Sequence, residues 1–163
     1  MKAKVEQFML RNKDGQSVLY ENLGSWKGPA GELIFGPTIK YAWRVDGCEY
    51  EALSDEESWH LLPDASGFIC FEKEWKPDNC VLRDAYGKVY VRLVVPRMLT
   101  GSRFLDSSRQ PTSFSNISLP YTNPLNGEEG QFGVVAWVEY AGKYYFELDY
   151  HSGSFLWGKE VRD

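Results

Sequence analysis

The sequence predicts an all-β protein, a single antiparallel domain over residues 1–163 of about ten strands, curled into a sandwich or an open barrel. Three observations predict it. Apolar residues alternate with period two through most of the chain, the mark of half-buried strands. Turns ending at Gly15, Gly47, Gly87, Gly142 and Gly153 join the alternating runs into hairpins. Helix signals are confined to one stretch near 54–62. A chain of 163 residues buries about 70% of its unfolded surface, enough to fold without disulfide or metal.

The elements follow in order. "MLRNKDGQSVLY" at 9–20 is a run, a turn at Gly15 and a return. Ile39, Tyr41, Trp43 and Val45 share one face of the next strand, with Lys40, Ala42 and Arg44 on the other. Asp46-Gly47 then supplies the positive φ that a two-residue type I′ turn demands. That loop sets Trp43 opposite Tyr50 and Arg44 opposite Glu49, ring against ring and base against acid. Ser54-Asp55-Glu56-Glu57 reads as a capping box, with its acids at the positive end of a short helix that Pro63 stops.

"VLRDAYGKVYVRLVV" at 81–95 is another hairpin. A four-residue loop, Asp84 to Gly87, would set Leu82 across from Val89 and Cys80 across from Val91. Its likeness to 9–20 is the turn glycine and little else, so it is hairpin punctuation and not a repeat. Residues 100–131 are dense in Ser, Thr, Asn, Pro and Gly, and predict a long polar loop or insertion. Phe104, Leu105, Phe114, Ile117, Leu119 and Tyr121 give it packing residues, and an edge strand through Ile117, Leu119 and Tyr121 fits the pattern. Val134 to Tyr140 and Tyr144 to Tyr150 alternate, and only an odd loop keeps their apolar sets on one face. A loop of Ala141, Gly142 and Lys143 would pair Val138 with Phe146. The last hairpin turns at Ser152-Gly153.

Charge and composition narrow the function. The net charge is -5 and the pI about 5.1, against a dedicated nucleic-acid binder and in favour of a basic partner. Nine acids stand between Glu49 and Asp78 against two lysines, which marks that region as the acidic one. Lys88, Tyr90 and Arg92 could stack and neutralise a single strand of nucleic acid, but the solvent face of an ordinary hairpin looks the same. No apolar run approaches the ~20 residues of a membrane span. The first ten residues lack a signal-peptide core, and Cys48, Cys70 and Cys80 lack CxxC spacing. A cytoplasmic protein with reduced thiols is expected.

Chemistry has few candidates. Asp149, His151 and Ser152 cluster in "DYHSGS", yet an extended segment sends Ser152 to the opposite face. His60 follows Trp59 and could meet Cys48 only through folding. Neither histidine has a partner at ligand spacing, so no metal and no cofactor is expected. G-x-S-x-G, Walker A and G-x-G-x-x-G runs do not occur.

The leading reading is a small protein-binding domain, most concretely an immunity or inhibitor protein that neutralises a basic toxin or enzyme by occlusion. Its candidate contact residues are Glu49, Glu51, Asp55, Glu56, Glu57 and Trp59, with Arg103, Phe104, Arg109, Phe114 and Tyr121 from the long loop. Two other classes stay open: a carbohydrate or small-ligand module that stacks ligand on exposed Trp and Tyr, and a β-barrel enzyme using His60 or His151.

Overall fold

The computed structural model describes residues 3–32, 34–54, 57–96, 112–138 and 142–161. Among them twelve strands form three open, four-stranded antiparallel sheets. Two compact units are present: Met1–Cys70 with Arg83–Val89, and Phe71–Leu82 with Tyr90–Asp163. The first holds a sheet in the order β2 (Ser17–Leu19), β1 (Glu6–Asn12), β3 (Thr38–Val45), β4 (Cys48–Leu53); the second holds one in the order β12 (Ser154–Glu160), β11 (Gly142–Asp149), β10 (Gly133–Val138), β9 (Ser113–Ser118). A third sheet has the order β5 (Glu57–Leu61), β6 (Gly67–Glu72), β7 (Cys80–Asp84), β8 (Val89–Leu93).

In the first unit, β1 (Glu6–Asn12), β2 (Ser17–Leu19), β3 (Thr38–Val45) and β4 (Cys48–Leu53) follow the expected hairpin logic. Trp43 faces Tyr50 and Arg44 faces Glu49, as the Asp46-Gly47 turn demands. Both turn residues have positive φ, 50° and 81°, the geometry in which Asp and Gly are tolerated. The buried alternates of β3, Tyr41 and Trp43, enter a ring cluster with Phe8, Trp59 and Phe68. Neighbouring ring centroids there stand 4.9 to 5.8 Å apart. Each ring buried this way contributes roughly 1.5–3 kcal/mol, so much of the aromatic content of this unit is core. Asn12, also buried, fills all four of its hydrogen-bonding positions. Its amide donates to Phe35 O and Gln16 Oε1, and its Oδ1 accepts from Asp14 N and Gln16 N.

The short helix expected near 54–62 is a strand. Residues 57–61 form β5 (Glu57–Leu61), and the short helix of the fold is a 3-10 turn at Tyr20–Ser25. The Ser54 hydroxyl donates to Glu57 O, so it closes a turn between two strands. Tyr41 Oη accepts from Trp59 N at 3.1 Å and holds that backbone extended. A helix of two turns at most gains too little from its own bonds to compete with burial of Trp59 against the rings of Tyr41, Trp43 and Phe68.

β6 (Gly67–Glu72) and β7 (Cys80–Asp84) are the most buried strands of the third sheet; β8 (Val89–Leu93) is more exposed. The turn after β7 also departs from expectation. Asp84 N donates to Lys88 O, and Gly87 N to Asp84 O, so the loop is Ala85–Gly87, three residues and not four. Asp84 Oδ1 accepts from Tyr86 N and Lys88 N and tightens it.

In the second unit β9 (Ser113–Ser118), β10 (Gly133–Val138), β11 (Gly142–Asp149) and β12 (Ser154–Glu160) run in the order β12-β11-β10-β9. β10 and β11 keep the expected faces but not the expected register. Val138 pairs with Gly142 and Val134 with Phe146, four residues from the expected pairing but on the same faces. β9 lies within the segment read as a polar loop and is an edge strand there. Buried Asn79 anchors it: its amide donates to Phe114 O, and its Oδ1 accepts from Phe114 N. Residues 121–130 form a small hairpin of their own, with Thr122 bridged to Glu129 and Asn123 N bonded to Glu128 O.

Candidate functional site

The residues singled out from sequence meet different fates. Asp55, Glu56, Arg103, Phe104 and Arg109 lie outside the described residues. Glu49 and Glu51 are exposed on the edge strand β4, yet each is paired across the hairpin, Glu49 to Arg44 at 2.7 Å and Glu51 to Lys40 at 2.8 Å. Glu57 grips Arg83 through both carboxylate oxygens, 2.7 and 3.0 Å away, and Arg83 lies over the Trp59 ring. Trp59 and Phe114 are buried, 5% and 3% exposed, and present almost nothing to solvent. A shallow hollow of about 210 Å³ beside Glu49 and Glu51 also holds Arg11 and Arg44, so two bases offset its two acids. Among the described residues of this set, Glu49, Glu51 and Glu57 are ion-paired and Trp59 is buried.

The histidines are also placed. His60 Nδ1 lies 3.1 Å from Tyr20 Oη, and burial pulls its imidazole down to about 4. Cys48 is exposed, Cys70 and Cys80 are buried, and none of the three forms a disulfide among the described residues. Around His151, Asp149 Oδ1 accepts from His151 N and Ser152 N, and Ser152 Oγ accepts from Ser154 N. The Ser152 hydroxyl, then the His151 N–H, hold the Asp149 carboxyl below its ordinary value. This is a polar hairpin end. Among the described residues no group of three His, Cys, Asp or Glu is arranged to hold a metal, and no helix is long and apolar enough to cross a membrane. On the face read as a possible nucleic-acid platform, Arg92 is bonded to Glu72 and to Asp78 O, and Tyr90 Oη donates to Tyr150 O.

A larger feature lies in the second unit. A cleft of about 570 Å³ opens between the 121–130 hairpin and the β11–β12 turn. Trp157, Tyr150 and Phe132 contribute rings; Glu128, Glu129 and Asp149 contribute carboxylates; Asn123 and Asn126 contribute amides. Glu147 forms part of its lining and is 5% exposed.

Glu147 fixes this geometry. One carboxylate oxygen accepts from Tyr145 Oη. The other accepts from Gln131 N at 2.7 Å and Phe132 N at 3.2 Å. The acid thus ties the segment entering β10 to β11. Burial, then the Glu147 carboxylate, push the Tyr145 phenol above its ordinary range. The Tyr145 ring is held between Tyr121 at 4.8 Å and Trp157 at 5.2 Å, and Lys159 sits 5.2 Å over Tyr121. A side chain at Gly130 would collide with Glu147, and one at Gly133 with the Tyr145 ring. Close approach explains both glycines.

With this geometry in hand, a structural likeness is informative. A chain from the "Structure of Tne2 in complex with Tni2" aligns over 97% of this chain and 99% of its own length, with a TM-score of 0.61 and 12% identity. The two chains share a fold. At that identity the likeness is of architecture alone. No family model matches the sequence, and no curated protein does.

Of the partner-contact candidates named from sequence, Tyr121 packs beside this cleft, against Tyr145, and Asp149 and His151, named for their chemistry, line it. Sequence reasoning missed Glu147 because it stands in an alternating strand, opposite the apolar set Tyr144, Phe146 and Leu148. The alternation assigns that face to solvent. In the structure Tyr144 to Leu148 are all buried. Tyr145, two residues before Glu147 and therefore on its face, was the available signal.

Proposed function

We propose that this chain is a protein-binding domain of the immunity or inhibitor type, cytoplasmic, which neutralises a basic toxin or enzyme by covering its surface. The observation that carries the reading is the likeness over nearly the whole chain to a protein solved as part of a two-protein complex. The net charge of -5 adds to it, since an acidic domain draws a basic partner in and speeds its docking. His60 is buried and neutral, and His151 gives its backbone N–H to Asp149 Oδ1 at a hairpin end.

Affinity capture from lysate of the source, with mass spectrometry of the retained proteins, tests it. One basic protein held at 1:1 and released by high salt is the expected result. A lysate shown to express the neighbouring genes, yet leaving nothing on the resin, would overturn it.

A further inference from the structure

We infer that the cleft of the second unit is the seat for an arginine- or lysine-bearing segment of the protein partner, an inference that rests on the binding reading above. Charge complementarity is the first argument. Among the described residues the cleft lining has four carboxylates, Glu128, Glu129, Glu147 and Asp149, one histidine, His151, and no lysine or arginine. The hollow beside Glu49 and Glu51 is neutralised by its own arginines. Among the described residues no ion pair engages Glu128 or Glu129, whereas Glu49, Glu51, Glu57 and Glu72 are all paired within their units. The Glu128 and Glu129 carboxylates, both exposed, are therefore directed at solvent.

The second argument is the wall. Trp157 and Tyr150 line the cleft, and a guanidinium or ammonium is attracted to such ring faces. Lys159 already lies over the neighbouring Tyr121 ring, so the molecule itself shows this chemistry at the cleft's edge. The third is the rim. Leu125, 90% exposed at the tip of the 121–130 hairpin, and Leu156, 58% exposed on β12, offer apolar contact to the chain that carries the cation. A planar guanidinium, stacked on a ring and bonded to two carboxylates, uses all of these features better than an ammonium does.

The test has two arms. In the first, the protein is titrated with a capped tri-arginine peptide, with capped tri-glutamine and maltotriose as controls, and followed by amide NMR. Saturable shifts at the Trp157 indole and the Asn123 and Asn126 side chains, weakened several-fold at about 0.5 M salt, are expected. Glu128→Lys/Glu129→Lys, with an unchanged melting curve, should weaken the peptide at least about tenfold. Shifts from maltotriose with none from tri-arginine would overturn the inference and make the cleft a sugar site. So would tri-arginine shifts centred on Glu49 and Glu51.

In the second arm, the double variant and Glu49→Lys/Glu51→Lys are compared for binding to the captured partner. Loss confined to the cleft variant supports the inference. Binding equal to wild type sinks the inference while the binding reading stands, and a failure to capture any partner sinks the reading while the peptide arm still judges the cleft.

Discussion

Replacing Glu147 with alanine should loosen the second unit more than any surface change can. Three donors meet its carboxylate: Tyr145 Oη, Gln131 N and Phe132 N. Gln131 is exposed, so water replaces its bond at little cost, but Phe132 and Tyr145 are buried. Each buried donor left without an acceptor costs roughly 1–3 kcal/mol, and the emptied volume adds to that. The expected loss is therefore on the order of 3–5 kcal/mol. Glu147→Gln should cost about 1–2 kcal/mol, since its amide oxygen can take both backbone donors while its NH2 donates to Tyr145 Oη. Tyr145→Phe removes one of the three donors and should fall near the Gln variant. Because Glu147 and Tyr145 share a bond, the Glu147→Ala/Tyr145→Phe double variant should lose clearly less than the sum of the singles. Urea unfolding monitored at Trp157, with hydrogen exchange at Phe132 N, measures all four. An alanine variant within 1 kcal/mol of wild type (roughly one lost exposed bond), or a glutamine variant worse than alanine, would refute the reasoning.

Four further outcomes follow from other parts of the structure. Asn79→Ala strips both backbone partners from Phe114 and should cost about 2–4 kcal/mol in urea unfolding, with Asn79→Asp no better because its oxygen would face Phe114 O. Gly133→Ala should cost at least about 2 kcal/mol, because its methyl meets the Tyr145 ring. His60, held near 4 when folded and close to 6.5 when unfolded, takes up its proton only on unfolding between those values. Stability therefore falls as pH drops through that window, by up to about 3 kcal/mol more in wild type than in His60→Gln, as paired unfolding curves at pH 7 and pH 4 (about the two ends of the window) would show. Glu49→Lys and Glu51→Lys break exposed pairs and should each change stability by less than about 1 kcal/mol in the same assay.

What could be read from the sequence was local. The β3–β4 hairpin was legible to the residue, because Asp46-Gly47 fixes the loop length and loop length fixes register. Between β10 and β11 the period-two pattern fixed which residues share a face, but it has no power over a shift of an even number of residues. At Ser54 a local capping signal pointed one way and the Phe8–Tyr41–Trp43–Phe68 cluster pulled Trp59 the other, and tertiary burial won. Sequence pattern assigns polar types to solvent and so carries no signal for the burial of Asn12, Asn79 and Glu147. Each is buried where it supplies bonds that a bent or ending strand lacks. The cleft was invisible for a related reason: its carboxylates come from 128–129 and 147–149, and only the 121–130 hairpin brings them to one opening.

Whether the chain neutralises a basic protein by occlusion is read by titrating the captured partner's own activity with it. A linear fall to zero at one equivalent is expected, with activity restored at high salt. A partner that stays fully active while demonstrably saturated with the chain would contradict it.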